Sequence, residues 1–175
     1  LGVGGVILRD VAGRGNLSST KFYGSVAYHQ LLGMSSLLSV GFNAGSANKR
    51  VDITKLTFGD QWNGKFFDSQ VPTGEPITQS GINYFDLQAG LNYAYFPTDN
   101  LYINGGFSVQ HVNKPRETFY KGNNQIERRY IGFLNASIKL NDDVIVNPAG
   151  YYAMQAKSRE LVLGTNVAYN LSGDG

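Results

Sequence analysis

The sequence predicts an all-β protein: an antiparallel up-and-down transmembrane β-barrel of outer-membrane type, with this chain supplying about eight strands of a larger barrel. Three observations carry that prediction. Residues 84–112 read YFDLQAGLNYAYFPTDNLYINGGFSVQHV, two alternating runs of about a dozen residues each joined at a polar turn. A soluble strand is usually roughly 5–6 residues long, whereas a tilted strand crossing a bilayer needs about 9–11. The alternation is apolar against wet. Phe85, Leu87, Ala89, Leu91, Tyr93 and Tyr95 share one side, and Asp86, Gln88, Gly90, Asn92 and Ala94 the other, because strand side chains alternate with period two. Finally, the predicted connections are long after the first, third and fifth runs and short after the second, fourth and sixth, with a further short one after the seventh. Long loops at one end and tight turns at the other is the outer-membrane layout, turns periplasmic and loops extracellular.

Composition agrees. The chain of 175 residues holds 22 glycines and 13% aromatics but only 16% charged residues, as expected of many strands and turns. Mean hydropathy is slightly negative, and no run approaches the ~20 apolar residues of a membrane helix; strand alternation hides an apolar band from such averages. Cysteine is absent, which excludes disulfides and thiolate-ligated metals. A net charge of +2 is too small and balanced for a nucleic-acid footprint. The chain opens on Leu1-Gly2-Val3-Gly4 and closes on Gly173-Asp174-Gly175, and we expect it to be a single barrel domain over 1–175 that forms part of a longer secreted protein.

Taken in order, residues 2–9 form a Gly-rich apolar strand and residues 10–20 (DVAGRGNLSST) a turn-forming connection. Residues 21–30 alternate, with Phe22, Val26 and Tyr28 against Tyr23, Ser25 and His29. After a short connection at 31–36, residues 37–46 set Leu38, Val40, Phe42 and Ala44 opposite Ser39, Gly41, Asn43 and Gly45. Alternation then fails over 47–82. A loop this long in a compact domain is uncommon and usually functional, and Phe58, Trp62, Phe66 and Phe67 argue that it is folded. Beyond the 84–112 hairpin, a second long loop spans 113–128 (NKPRETFYKGNNQIER). Strands over 129–140, 144–156 and 160–171 complete the series. Tyr130, Leu134, Ala136 and Ile138 face away from Asn135, Ser137 and Lys139.

Catalytic and metal chemistry finds little support. His29 and His111 sit near predicted strand ends, and with no cysteine beside them an anchoring role for a loop outweighs metal ligation. Asp86, on the wet face, is expected to be a lumen carboxylate paired with Lys or Arg. Ser108, Ser137 and His111 lack the spacing of a triad or nucleophile elbow. Gly2-Val3-Gly4-Gly5 and Gly13-Arg14-Gly15 lack the strand–loop–helix context of a phosphate loop. Tyr93, Tyr95, Phe96 and Tyr102 cluster near a turn, where aromatic girdles lie. The charged and aromatic stretch from Lys114 to Lys121 suits either a partner interface or a solvated loop folded over the rim.

Several phrases, in order, carry a resemblance: FDLQAGLNY, LYINGGFSVQHVNKPRETFYKG, RRYIGFLNASIKLNDDVIVNPAGYY and LVLGTNVAYNLSGDG, preceded by GVGG and SVAYHQLLGMSSLLSVGFNAG. Together they resemble the PorP/SprF family of outer-membrane proteins of the type IX secretion and gliding machinery, over nearly the whole chain. The resemblance implies a non-enzymatic barrel without cofactor or metal, resident in outer-membrane lipid. Its expected partners are type IX machinery proteins and secreted surface cargo, which it would help to deliver or anchor. The alternatives are an outer-membrane channel for small solutes or lipids, with Asp86, Gln88, Asn104, Gln110, Asn135, Lys139 and Asn166 lining the lumen, and a soluble β-sandwich. The recurring family phrase falls on His111, Asn113, Pro115 and Glu117. With Trp62, Phe66, Phe67, Phe119 and Tyr120 of the long loops, these are the candidate partner-binding residues.

Overall fold

A computed structural model describes residues 1–13, 15–68, 70–75, 80–119 and 122–170. Eight strands follow one another: β1 (Gly2–Ala12), β2 (Leu17–Leu31), β3 (Ser36–Arg50), β4 (Gly81–Thr98), β5 (Leu101–Gln110), β6 (Arg129–Lys139), β7 (Val144–Gln155) and β8 (Ser158–Tyr169). They form one antiparallel sheet in the order β1 to β8. This is the expected up-and-down wall, with β1 and β8 at its two ends. Among the described residues, no helix is long and apolar enough to cross a membrane.

The register sorts the side chains as the alternation requires. Phe22, Val26, Tyr28, Val40, Phe42, Phe85, Leu91, Phe107, Leu134, Leu161 and Leu163 are all exposed on one face, which we call outer. The opposite, more covered face is inner. Cross-strand partners share a face, so the pairs Asn43↔Gln88, Asn104↔Asn135 and Asn147↔Asn166 place a polar lining on the inner side. The proposed lumen residues all map there. An apolar outer face and an amide-rich inner face suit a wall with lipid outside and water within. Tyr93 and Tyr95 point outward near the short-turn end, whereas Tyr102 pairs with Ser137 on the inner face and is no part of a girdle.

Two connections are shorter than the sequence suggests. β1 runs on to Ala12 and β2 begins at Leu17, so the first connection is a tight turn and not the eleven-residue one that DVAGRGNLSST suggests. β3 continues to Arg50, pairing Ser18↔Arg50 and Thr20↔Asn48. The reason is physical. A bilayer crossing uses about 9–11 residues, and β2 and β3 have 15 each. Their polar ends rise beyond the lipid, where backbone pairing persists but the outer face no longer needs to be apolar. Long connections therefore remain only after β3 (51–80) and β5 (111–128), both at the same end of the sheet.

One glycine is dictated by close approach. Gly45 lies between Tyr23 and Asp86 in the register. A Cβ there would collide with the Tyr23 ring and the Phe22 carbonyl oxygen. We expect Gly45→Ala to destabilise the protein by on the order of 3 kcal/mol, since overpacking against backbone has no rotamer to relieve it. Urea unfolding in detergent micelles measures this, and a near-neutral result would contradict the packing described.

Candidate functional site

The buried centre of the molecule lies on the inner face at the long-loop end. Among the described residues, Asp86 and Ala47 have no exposed surface, and Tyr23, Ile82 and Tyr84 are nearly as buried. A buried carboxylate is costly unless several donors satisfy it. Asp86 has three: the Tyr23 hydroxyl donates to Oδ2 at 2.9 Å, Gln88 Nε2 donates to Oδ2 at 3.2 Å, and His111 Nδ1 lies 2.9 Å from Oδ1. The imidazole is the donor in the last bond because a carboxylate only accepts. Gly45 lets the Tyr23 ring cross β3 to reach it. The expected Lys or Arg partner is therefore wrong. The register brings a tyrosine, an amide and a histidine to Asp86 instead.

His111 reaches Asp86 because the chain leaves β5 abruptly. His111 (φ 57°) and Lys114 (φ 45°) both adopt the left-handed region, which disfavours residues with a Cβ by roughly 1–2 kcal/mol each. Between them, Asn113 acts as a substitute strand. Its Nδ2 donates to the Phe85 carbonyl at 2.7 Å and its Oδ1 accepts from the Leu87 amide at 3.1 Å. The Val112 amide donates to the Leu87 carbonyl at 2.9 Å. These bonds satisfy β4 backbone groups beyond the last β5 pair. Pro115 is buried and its carbonyl accepts from the Ile126 amide at 2.9 Å, while the Glu117 amide donates to the Asn124 carbonyl at 2.9 Å. The loop thus returns as a narrow hairpin, bridged at Arg116↔Gln125. The Glu117 carboxylate pairs with the Lys49 ammonium. Residues 111–117, the strap, thus continue the line of β5 beside β4 and fasten to the inner-face side chains Asp86 and Lys49.

The first long loop is fastened differently. The Asp52 amide donates to the Gly15 carbonyl at 2.7 Å, and the Val51 amide to the Ser80 carbonyl at 2.8 Å, closing its base. Asp52 caps a single 3₁₀ turn, Ile53–Lys55, through Thr54; the Thr54 hydroxyl, more than its amide, holds the Asp52 carboxyl below its usual range. Further out, the buried Gln61 side chain donates to the Val71 carbonyl and accepts from the Phe58 amide. Asp60 accepts from the Thr73 hydroxyl and Gly74 amide, and Asn63 accepts from the Lys65 and Phe66 amides. Asp52, Asp60, Gln61 and Asn63 are thus engaged within the loop itself. Three of its aromatics are left outside: Trp62 and Phe67 bridge and meet edge to face at 5.1 Å, and Trp62, Phe66 and Phe67 are 50%, 59% and 50% exposed.

The candidate residues therefore divide into two groups. His111, Asn113, Pro115 and Glu117 come together as the strap and its fastenings, while Trp62, Phe66 and Phe67 form a separate aromatic knob. Phe119 is half-buried beside the strap hairpin; Tyr120 lies outside the described residues. Sequence reasoning missed Lys49, Tyr84 and the bridging role of Tyr23 across Gly45. Their contacts depend on register and leave no local signal. A family model described as type IX secretion system membrane protein PorP/SprF matches residues 1–173. No curated protein and no solved structure matches the chain.

Proposed function

The chain belongs to the PorP/SprF family of type IX secretion system membrane proteins, and on that premise we propose that it is a non-enzymatic outer-membrane barrel that helps deliver or anchor secreted surface proteins by docking cargo or machinery at its long-loop end. In this reading the eight strands are part of a larger closed barrel and both long loops face outside. The single observation that supports docking most is the aromatic knob. Trp62, Phe66 and Phe67 stand exposed on a loop braced by the internal hydrogen bonds of Asp60, Gln61 and Asn63, and exposed aromatics on an ordered support are the residues that dominate protein interfaces. Asp86 and the strap give a loop-supporting role to residues that a hydrolase would need free. The channel alternative is less well supported, because Asp86, the one carboxylate among the lumen candidates, is buried and engaged by Tyr23, Gln88 and His111.

The test is affinity capture of the intact protein from outer membranes in mild detergent. Wild type should bring type IX machinery or a large surface protein with it. The variant Trp62→Ala/Phe66→Ala/Phe67→Ala should lose the partner by tenfold or more, since aromatic anchors are typically worth at least about 2 kcal/mol each, while keeping normal barrel migration on heat-modifiable gels. Recovery of the wild-type barrel alone would overturn the docking role. Undiminished capture by the triple variant would move it away from the knob.

A further inference from the structure

We propose that Arg9, Arg50 and Arg159 form a cationic belt that holds anionic phosphate headgroups of the bilayer leaflet at the long-loop end. The register assigns every strand residue to a face. Among the described residues, the outward strand positions carry three formal charges, and all three are arginines. Arg9 stands near the end of β1, Arg50 closes β3 and Arg159 is the second residue of β8, so all three lie at the long-loop end. The opposite rim has the other sign. Its short turns carry Asp99, Asp142 and Asp143, and its outward strand positions carry Tyr93, Tyr95 and Tyr169 with no cation.

The three arginines are exposed, and among the described residues no carboxylate pairs with any of them. Cations of the inner face are placed differently: Lys49 meets Glu117, Arg129 meets Glu160 and Lys139 meets Asp142. An unpaired guanidinium beside an apolar stripe is complementary to a phosphate, which it binds through two parallel N–H donors. Height along the wall fits that ligand. On β8, Arg159 and Tyr169 bracket the outward Leu161, Leu163, Thr165 and Val167. That stretch of strand is about 33 Å long, or about 25 Å of membrane at the tilt of a barrel wall, which is the height of the apolar band. Arg159 thus meets the headgroups of one leaflet, and Tyr169 those of the other. On β1, Arg9 follows Ile7 at the next outward position. Arg50 stands higher, above Ser46 and Asn48, and its long stem lets the charge bend back to the headgroups. Arg9 and Arg50 are two strands and one outward step apart in the register, about 12 Å, so each takes its own headgroup.

The belt rests on the lipid-facing outer wall and not on partner docking by the aromatic knob. To test it, the full-length protein in mild detergent is offered an equimolar mixture of phosphatidylglycerol and phosphatidylcholine with the same acyl chains. Native mass spectrometry then counts the lipid retained. Wild type should keep the anionic lipid about fivefold over the zwitterionic one, the factor that a single arginine near a charged membrane surface supplies. Arg9→Gln/Arg50→Gln/Arg159→Gln should erase the preference while keeping normal migration on heat-modifiable gels. Lys21→Gln/Arg129→Gln/Lys139→Gln removes the same charge from the inner face and should leave the preference intact. Equal retention of the two lipids by wild type would overturn the proposal, and this needs no variant to fold. Equal loss in both variants would overturn it too, because net charge and not the belt would then select the lipid. Displacement of the lipid by inorganic phosphate, at an ionic strength matched with chloride, would overturn the assignment to a membrane headgroup. None of these results bears on partner capture by Trp62, Phe66 and Phe67.

Discussion

Asp86→Leu is expected to cost the folded barrel about 3–5 kcal/mol, the range for removing one partner from a buried charged network. The substitution leaves the Tyr23 hydroxyl, the Gln88 amide and the His111 imidazole facing an apolar side chain in a site with no water-exposed surface at Asp86. Each buried donor left unpaired carries its own desolvation penalty of about 1–3 kcal/mol. Asp86→Asn keeps the volume and one acceptor oxygen, so it should cost less than half as much. Urea unfolding in micelles ranks the two. A second readout separates the local effect from the global one. With His111 detached, trypsin should cut faster at Lys114, Arg116 and Arg128 in Asp86→Leu than in wild type under native conditions. If Asp86→Leu stays within 1 kcal/mol of wild type, the account of the buried network is wrong.

The second large effect concerns the faces of the wall. Leu87→Arg and Leu134→Arg place a guanidinium on the outer face, and in a bilayer each should cost about 2–4 kcal/mol. Leu134 is 62% exposed here, so its burial in the native setting is by lipid. Asn92→Arg and Ser137→Arg change inner-face positions, where water can solvate the new charge, and should cost far less. Folding equilibria in lipid vesicles are the appropriate measurement. Similar costs on the two faces would invert or abolish the assigned orientation.

The outer face was legible because period-two alternation is a property of neighbours in the chain. Phe85, Leu87 and Leu91 announce their side without knowing what they pair with, and the short turns at Asp99-Asn100 and Asn141-Asp142-Asp143 carry their own polar signal. The misread first turn shows where that signal stops. Ser18, Ser19 and Thr20 have turn-like chemistry, yet they are strand residues paired to Arg50, Lys49 and Asn48, above the level at which lipid imposes a pattern. His111 was readable as a loop anchor, but not what it anchors to.

By itself, then, the sequence determined the strand series, the lipid-facing stripe, the positions of the two long loops and the family to which the chain belongs. All of these are written in local alternation, turn chemistry or ordered phrases. Only the tertiary structure decided that Asp86 is held by Tyr23, 63 positions away, that Glu117 meets Lys49 across 68, and that the second loop begins by bonding the backbone of β4. Those contacts arise from the register of four strands and from two left-handed residues after β5. Register is fixed by cooperative pairing along the whole strand, and no window of sequence short enough to be read locally contains it.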